Sequence, residues 1–154
     1  MASSRRRTRE YLLQSLYARS ELGTSFDRTS FTESFFQGDT PESFEYSYVD
    51  RLEEVILSHE SDLLSIIGAL APKFDLSTMP VLHILILMIA LSEMLYTPEL
   101  AIPQSVSVNE AIELAKSFSD DHGKGFINGS LSTFIKNQEQ ILTSKKSGSF
   151  RVFG

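Results

Sequence analysis

The sequence predicts an all-α fold of about seven helices, with a central helix near residues 80–96. Three observations lead there. Nearly every ordered segment places its apolar residues at helical spacing. All five prolines fall at segment boundaries rather than inside the periodic runs. No segment alternates apolar and polar residues as a half-buried strand does, and no internal repeat is visible.

The elements follow in order. Leu12, Leu13, Leu16 and Tyr17 form one face of an opening helix. Thr24 to Gly38 is rich in Ser, Thr and Phe and reads as a short helix ending at Gly38. Phe44, Tyr48, Leu52, Val55 and Ile56 make the next stripe, with Pro41 and Ser43 as start signals. Ser61 is placed to cap a helix running to about Leu70, before Pro72. Pro80 suits the first turn of a helix reaching Tyr96, with Pro98 beyond its end. That helix is apolar nearly all round, as expected of one packed on several sides. Pro103 precedes a helix through Val106, Ala111, Leu114, Ala115 and Phe118. "SDDHGKG" reads as a loop whose aspartates favour the positive end of the following helix. The last helix carries Phe126, Ile127, Leu131, Phe134, Ile135 and Ile141. Residues 1–142 form one domain in this reading, and 143–154 a mobile C-terminal tail.

The 154 residues suit one domain or two small packed subdomains, and a 42% apolar content is enough for a core. Cysteine is absent, which excludes disulfides and thiolate metal sites and fits a reducing compartment. The basic start runs into an amphipathic segment, unlike a signal peptide. The longest apolar stretch, Met79 to Leu91, is shorter than the roughly 20 residues needed to span a bilayer. The expectation is a soluble, cytoplasmic protein. Its net charge is −6, unevenly distributed. Arg5, Arg6, Arg7 and Arg9 give residues 1–9 a charge of +4, so the rest carries −10. Asp27 to Asp62 holds ten acidic residues against Arg28 and Arg51. Such asymmetry suggests one surface for a polyanion and another that repels it.

Continued backward at about 100° per residue, the apolar stripe of the first helix runs through Arg9 at its centre, with Arg5 and Arg6 on it. Arginines are not buried unpaired. The first turns are therefore expected to overhang the core, with Arg5, Arg6 and Arg9 meeting solvent or an outside anion, and only Arg7 pointing clearly away. Two readings stand: a solvated basic start, or an arginine-rich arm holding RNA phosphates. Tyr11 and Tyr17 could add base stacking, with a core role the more ordinary one for Tyr17.

Three blocks resemble the NusB family of bacterial antitermination factors. They are "RRRTREYLLQSLY" from Arg5, "PQSVSVNEAIELAKSF" from Pro103 to Phe118, and "GKGFINGSL" from Gly123 to Leu131. The similarity covers about residues 5 to 135. It implies an all-helical fold of two packed three-helix subdomains and a non-enzymatic, cofactor-free RNA-binding factor. Family members bind boxA RNA of ribosomal RNA leader transcripts together with NusE, a small-subunit ribosomal protein. They act in an RNA polymerase antitermination complex that also supports ribosomal RNA maturation. By this resemblance Arg5, Arg6, Arg7 and Arg9 match the basic arm. Phe118 and the loop after it, with His122 and Lys124, match a second RNA-contacting region, with Tyr17 close by.

Three departures bear on partners. Lys124 is shifted by one from the family's usual lysine. His122 stands where an acidic residue is common. The central helix keeps Glu93 but has His83, Ile86 and Leu87 where charged residues are frequent. The resemblance places His83 and Glu93 on the NusE-binding surface, and extra apolar surface there would favour a homodimer.

Other residues look chemical but lack the company chemistry needs. Glu110 and Glu113 sit one turn apart with no nucleophile or metal set beside them, so a solvated helix face is expected. His59, His83 and His122 have no metal-ligand spacing. "NGS" at Asn128 fits a glycosylation sequon without a secretory signal. Gly123, Gly125 and Gly129 follow a helix rather than a strand, so they do not make a dinucleotide loop. Two alternative functions remain: a module like the N-terminal region of ribosomal RNA cytosine methyltransferases, for which the chain leaves no room for a catalytic sheet, and a helical protein-interaction scaffold.

Overall fold

The structure is a computed structural model and describes residues 4–154. Among these residues it contains eight α-helices and no strand. They are α1 (Ser4–Leu22), α2 (Arg28–Phe35), α3 (Tyr46–Ser58), α4 (Glu60–Leu70), α5 (Val81–Leu95), α6 (Gln104–Phe118), α7 (Asp121–Lys136) and α8 (Gln138–Ser144). The extra helix arises because the last expected helix breaks at Asn137, which leaves α8 as a separate short element. None of the helices is long and apolar enough to cross a membrane.

The core is organised around α5. From Ile84 to Leu91 every residue is buried, so this helix has no solvent face in its middle. It packs against α1, α3, α4, α6 and α7. Burying a Leu or Ile contributes about 1.5–3 kcal/mol, which makes this stretch the main source of cohesion. Ile86 and Leu87, at positions where the resemblance has charged residues frequent, are both fully buried, as a central helix packed on several sides requires. They therefore add nothing to an external apolar patch.

The remaining helices each turn one stripe inward. On α3 the buried residues are Tyr48, Val49, Leu52, Glu53, Val55 and Ile56. On α6 they are Ser107, Glu110, Ala111, Leu114 and Ala115, and on α7 Gly123, Ile127, Ser130, Leu131 and Phe134. The boundaries agree with the sequence to within a few residues, with local differences. Pro80 lies just before α5 rather than in its first turn. Ser61 is inside α4, whose preceding residue is His59. α2 is closed by Gly38 at φ +79°, whose N–H donates to the carbonyl of Glu33 at 2.8 Å. "SDDHGKG" is mostly helix: α7 starts at Asp121, and Asp120 caps it by accepting from the N–H of Gly123 at 2.8 Å.

Residues 145–153, for which the sequence predicts a mobile tail, lie along α4. Lys145 is paired with Asp62, and Arg151 donates to the Ser61 hydroxyl at 3.1 Å. The N–H groups of Val152 and Phe153 both donate to one oxygen of Glu60, at 2.5 and 3.0 Å. Phe150, Val152 and Phe153 pack against the core. None of these contacts follows from a helical period, the signal that marks the other elements.

Candidate nucleic-acid interface

The arm is helical from its first described residue, so α1 carries the arginines on a rigid scaffold. Their side chains go where the wheel places them, yet they do not overhang the core. Arg9 is 3% exposed. Its Nε donates to Glu93 Oε2 at 2.8 Å and a terminal nitrogen donates to Oε1 at 3.1 Å, a two-pronged pair. Glu110 adds a second carboxylate 3.6 Å away. Glu93 also accepts from the hydroxyls of Tyr48 and Ser107, the latter at 2.8 Å. The expectation that Arg9 meets solvent is therefore corrected. Its charge is satisfied inside the fold by carboxylates from α5 and α6.

The electrostatics follow from this geometry. Burial works against the charge on Arg9, but the hydrogen bond to Glu93 and the surrounding negative groups outweigh it and hold its pKa above the ordinary value. Burial, and then the charge of Glu93, push the Tyr48 phenol well above its usual range, so it remains a donor. Glu110 is pulled below the usual carboxylate value, first by its hydrogen bond to Arg6 and then by the charges of Arg6 and Arg9. The expected solvated face for Glu110 is thus also corrected: it is 8% exposed and ion-paired.

The other three arginines are partly open. Arg5 pairs with Glu45 and lies over the ring of Tyr48, 4.6 Å from its centroid. Arg6 grips Glu110 with two nitrogens at 3.0 and 2.8 Å. Arg7 pairs with Glu10 at 3.1 Å and lies 4.2 Å from the centroid of Phe35. Four guanidinium groups thus face four carboxylates: Glu10, Glu45, Glu93 and Glu110. The concentrated positive charge of the sequence is balanced locally in the fold.

The tyrosines exchange their expected roles. Tyr11 is fully buried, ringed by Phe31, Phe35, Phe36 and Phe44, and its hydroxyl is 2.6 Å from that of Thr32. Tyr17 is 39% exposed. The phenylalanines of α2 and its flanks cover Tyr11, a long-range effect that the helical wheel of α1 cannot register.

A second group of residues gathers where α6 meets α7. His83 Nε2 and the Ser119 hydroxyl are 2.7 Å apart, and the His83 ring stacks on Phe126 with centroids 5.9 Å apart. Burial lowers the pKa of His83, opposed by the charge of Asp120. A Cβ on Gly123 would come 1.9 Å from Ser119 Oγ and 2.6 Å from His83 Nε2, so glycine is what allows this close packing. Phe118 is half-buried, Lys124 half-buried and His122 exposed. His83 therefore braces the junction, while Glu93, the other residue assigned to a partner surface, has no exposed side chain. Sequence reasoning missed Ser119 and Glu45, and no local signal marks either one.

The two groups lie on the same pair of helices. Glu93 and Glu110 meet at Arg9, while His83 and Ser119 meet at the junction, so α5 and α6 run antiparallel. At 1.5 Å per residue the groups are about 12–15 Å apart along the helices.

Comparison with known proteins matches residues 6–136 to the NusB family. Proteins called transcription antitermination protein NusB are similar over most of their length. That of Geobacter sp. (strain M21) is 33% identical over 135 residues, 84% of this chain and 92% of its own. That of Elusimicrobium minutum (strain Pei191) is 34% identical over 146 residues, 94% and 97% of the two chains. That of Roseiflexus sp. (strain RS-1) is 34% identical over 140 residues, 91% and 97% of the two. The matched span contains the α1 arginines from Arg6 onward, α6 and the α6–α7 junction, and on this ground the chain belongs to the NusB family.

Proposed function

We propose that this chain is an RNA-binding transcription antitermination factor that recognises boxA-type RNA of ribosomal RNA leader transcripts together with NusE. It acts in the RNA polymerase antitermination complex and supports ribosomal RNA transcription and maturation. The carrying observation is the exposed edge of Arg5, Arg6 and Arg7 at the start of α1 in a chain similar to named antitermination proteins. Guanidinium groups hold phosphates through the same fork geometry that they use on carboxylates. Lys124, His122 and Tyr17 extend this reading to a second contact region, with Phe118 supporting it from a half-buried position. Arg9 serves the interface by fixing α1 against α5 and α6, not by touching RNA.

A scaffold reading without RNA has one observation in its favour: every arm arginine already has a carboxylate partner. A gel-shift titration of a boxA-like single-stranded RNA over a salt series, with and without NusE, separates the two. The expected result is binding that weakens steeply with salt and tightens when NusE is present. No binding at low salt, even with NusE, would leave the scaffold reading.

A further inference from the structure

Arg5 pairs with Glu45, the most exposed of the carboxylates that face the arm: its side chain is 30% exposed, against 25% for Glu10, 10% for Glu110 and 0% for Glu93. The Arg5 side chain is 31% exposed. Glu110 is enclosed by comparison, because it also faces the buried Arg9. Glu10 pairs with Arg7 within one turn of α1, so it is local to the arm. Glu45 comes from a different element, immediately before α3, and its side chain makes no capping hydrogen bond to that helix. The hydrogen bond it does make is with Arg5 Nε, 40 residues earlier in the chain. The Tyr48 ring supports the face of the Arg5 guanidinium and leaves its edge to the carboxylate.

A carboxylate on that edge offers the oxygens that an RNA phosphate would offer. We propose that Glu45 is a positioning residue of the RNA interface: it occupies the phosphate seat of Arg5 in the free protein, and bound RNA displaces it. The proposal rests on the RNA-binding reading above. Two effects follow from one contact. Glu45 keeps the guanidinium on the Tyr48 ring, so Arg5 is already oriented when RNA arrives. It also competes with the phosphate, so RNA binding is weaker than Arg5 alone would allow.

The signature of competition is a gain of affinity on losing the competitor. Glu45→Gln keeps the shape and removes the charge. Glu42→Gln removes a charge from an exposed position three residues earlier and controls for general repulsion. Binding of the boxA-like RNA is measured for the wild type, both single variants, Arg5→Ala and the double variant Arg5→Ala/Glu45→Gln. Glu45→Gln is expected to bind roughly two- to fivefold more tightly, the range open to a partly exposed ion pair. Glu42→Gln should change affinity by much less. In the Arg5→Ala background, Glu45→Gln should give no gain beyond that of the control. If the wild type binds but Glu45→Gln is no tighter than Glu42→Gln, or if the gain persists without Arg5, competition is overturned and the RNA reading survives. If the wild type does not bind, the RNA reading fails and takes this proposal with it.

Discussion

Arg9 is a buried charge whose partners come from two other helices, Glu93 on α5 and Glu110 on α6. Its position on the buried stripe of α1 was legible from the helical period. Its partners were not, because Glu93 and Glu110 lie 84 and 101 positions away and neither spacing carries a local signal. With two carboxylates beside it, the arginine is a structural ion. Arg9→Ala leaves Glu93 buried without its counter-charge, and removing one member of a buried pair costs about 3–5 kcal/mol. Urea unfolding should show that loss. Arg7→Ala, on a half-exposed pair, should cost about 1 kcal/mol or less. Equal effects of the two substitutions would contradict the burial difference. The pH dependence has a sign that can be worked out. Glu110 has a folded pKa below its ordinary value of 4.5, so it contributes stability above that pH. The contribution is lost as pH falls through the lowered value. Melting curves should therefore show the wild type more stable than Glu110→Gln near neutrality, with the gap closing below about pH 4.5.

Among the elements, α5 was the most legible and the α6–α7 junction the least. A helix apolar nearly all round, between two prolines, has few alternatives to a central position, and Ile84 to Leu91 are buried accordingly. Ile86→Asp should cost more than about 4 kcal/mol, because it places an unpaired charge against α1 and α6. A melting temperature near that of the wild type would mean that the helix has an open face there. The junction read as a loop because glycine and aspartate are frequent turn residues. Here Asp120 caps α7 and Gly123 is held against Ser119 and His83, so the same residues start a helix. Gly123→Ala would have to displace the Ser119 backbone-proximal Cβ, 2.8 Å from the new methyl, as well as the hydroxyl. A cost of about 1–3 kcal/mol is expected from such overpacking. Unchanged stability in chemical denaturation would mean that the junction relaxes freely. The tail was illegible for a different reason: its anchors are the backbone N–H groups of Val152 and Phe153, which no residue pattern announces.

At the scale of the whole molecule, charge is arranged by pairing more than by segregation. Among the described residues, nine of the 14 basic side chains are ion-paired with a carboxylate, and the net charge is −6. Under the proposed function, RNA approaches a molecule that repels it at long range and displaces carboxylates at short range. Affinity then depends on a few phosphate contacts, not on a broad basic surface. Each single-strand phosphate contact contributes about 0.7 to the slope of log affinity against log salt. With Arg5, Arg6, Arg7 and Lys124 as the available contacts, the slope should not exceed about 3 in magnitude. Replacing Arg5, Arg6 and Arg7 with alanine should lower it by about 2 and weaken binding strongly. The same triple variant should stay folded, because its ion pairs are partly exposed and Arg9 still holds α1 to α5 and α6. Adding Arg9→Ala should then bring a further large loss of stability, which separates the binding arginines from the structural one in a single series. A wild-type slope well above 3 would place the main phosphate contacts on another surface. A triple variant with an unchanged slope would mean that Arg5, Arg6 and Arg7 stay on their carboxylates and make no phosphate contact.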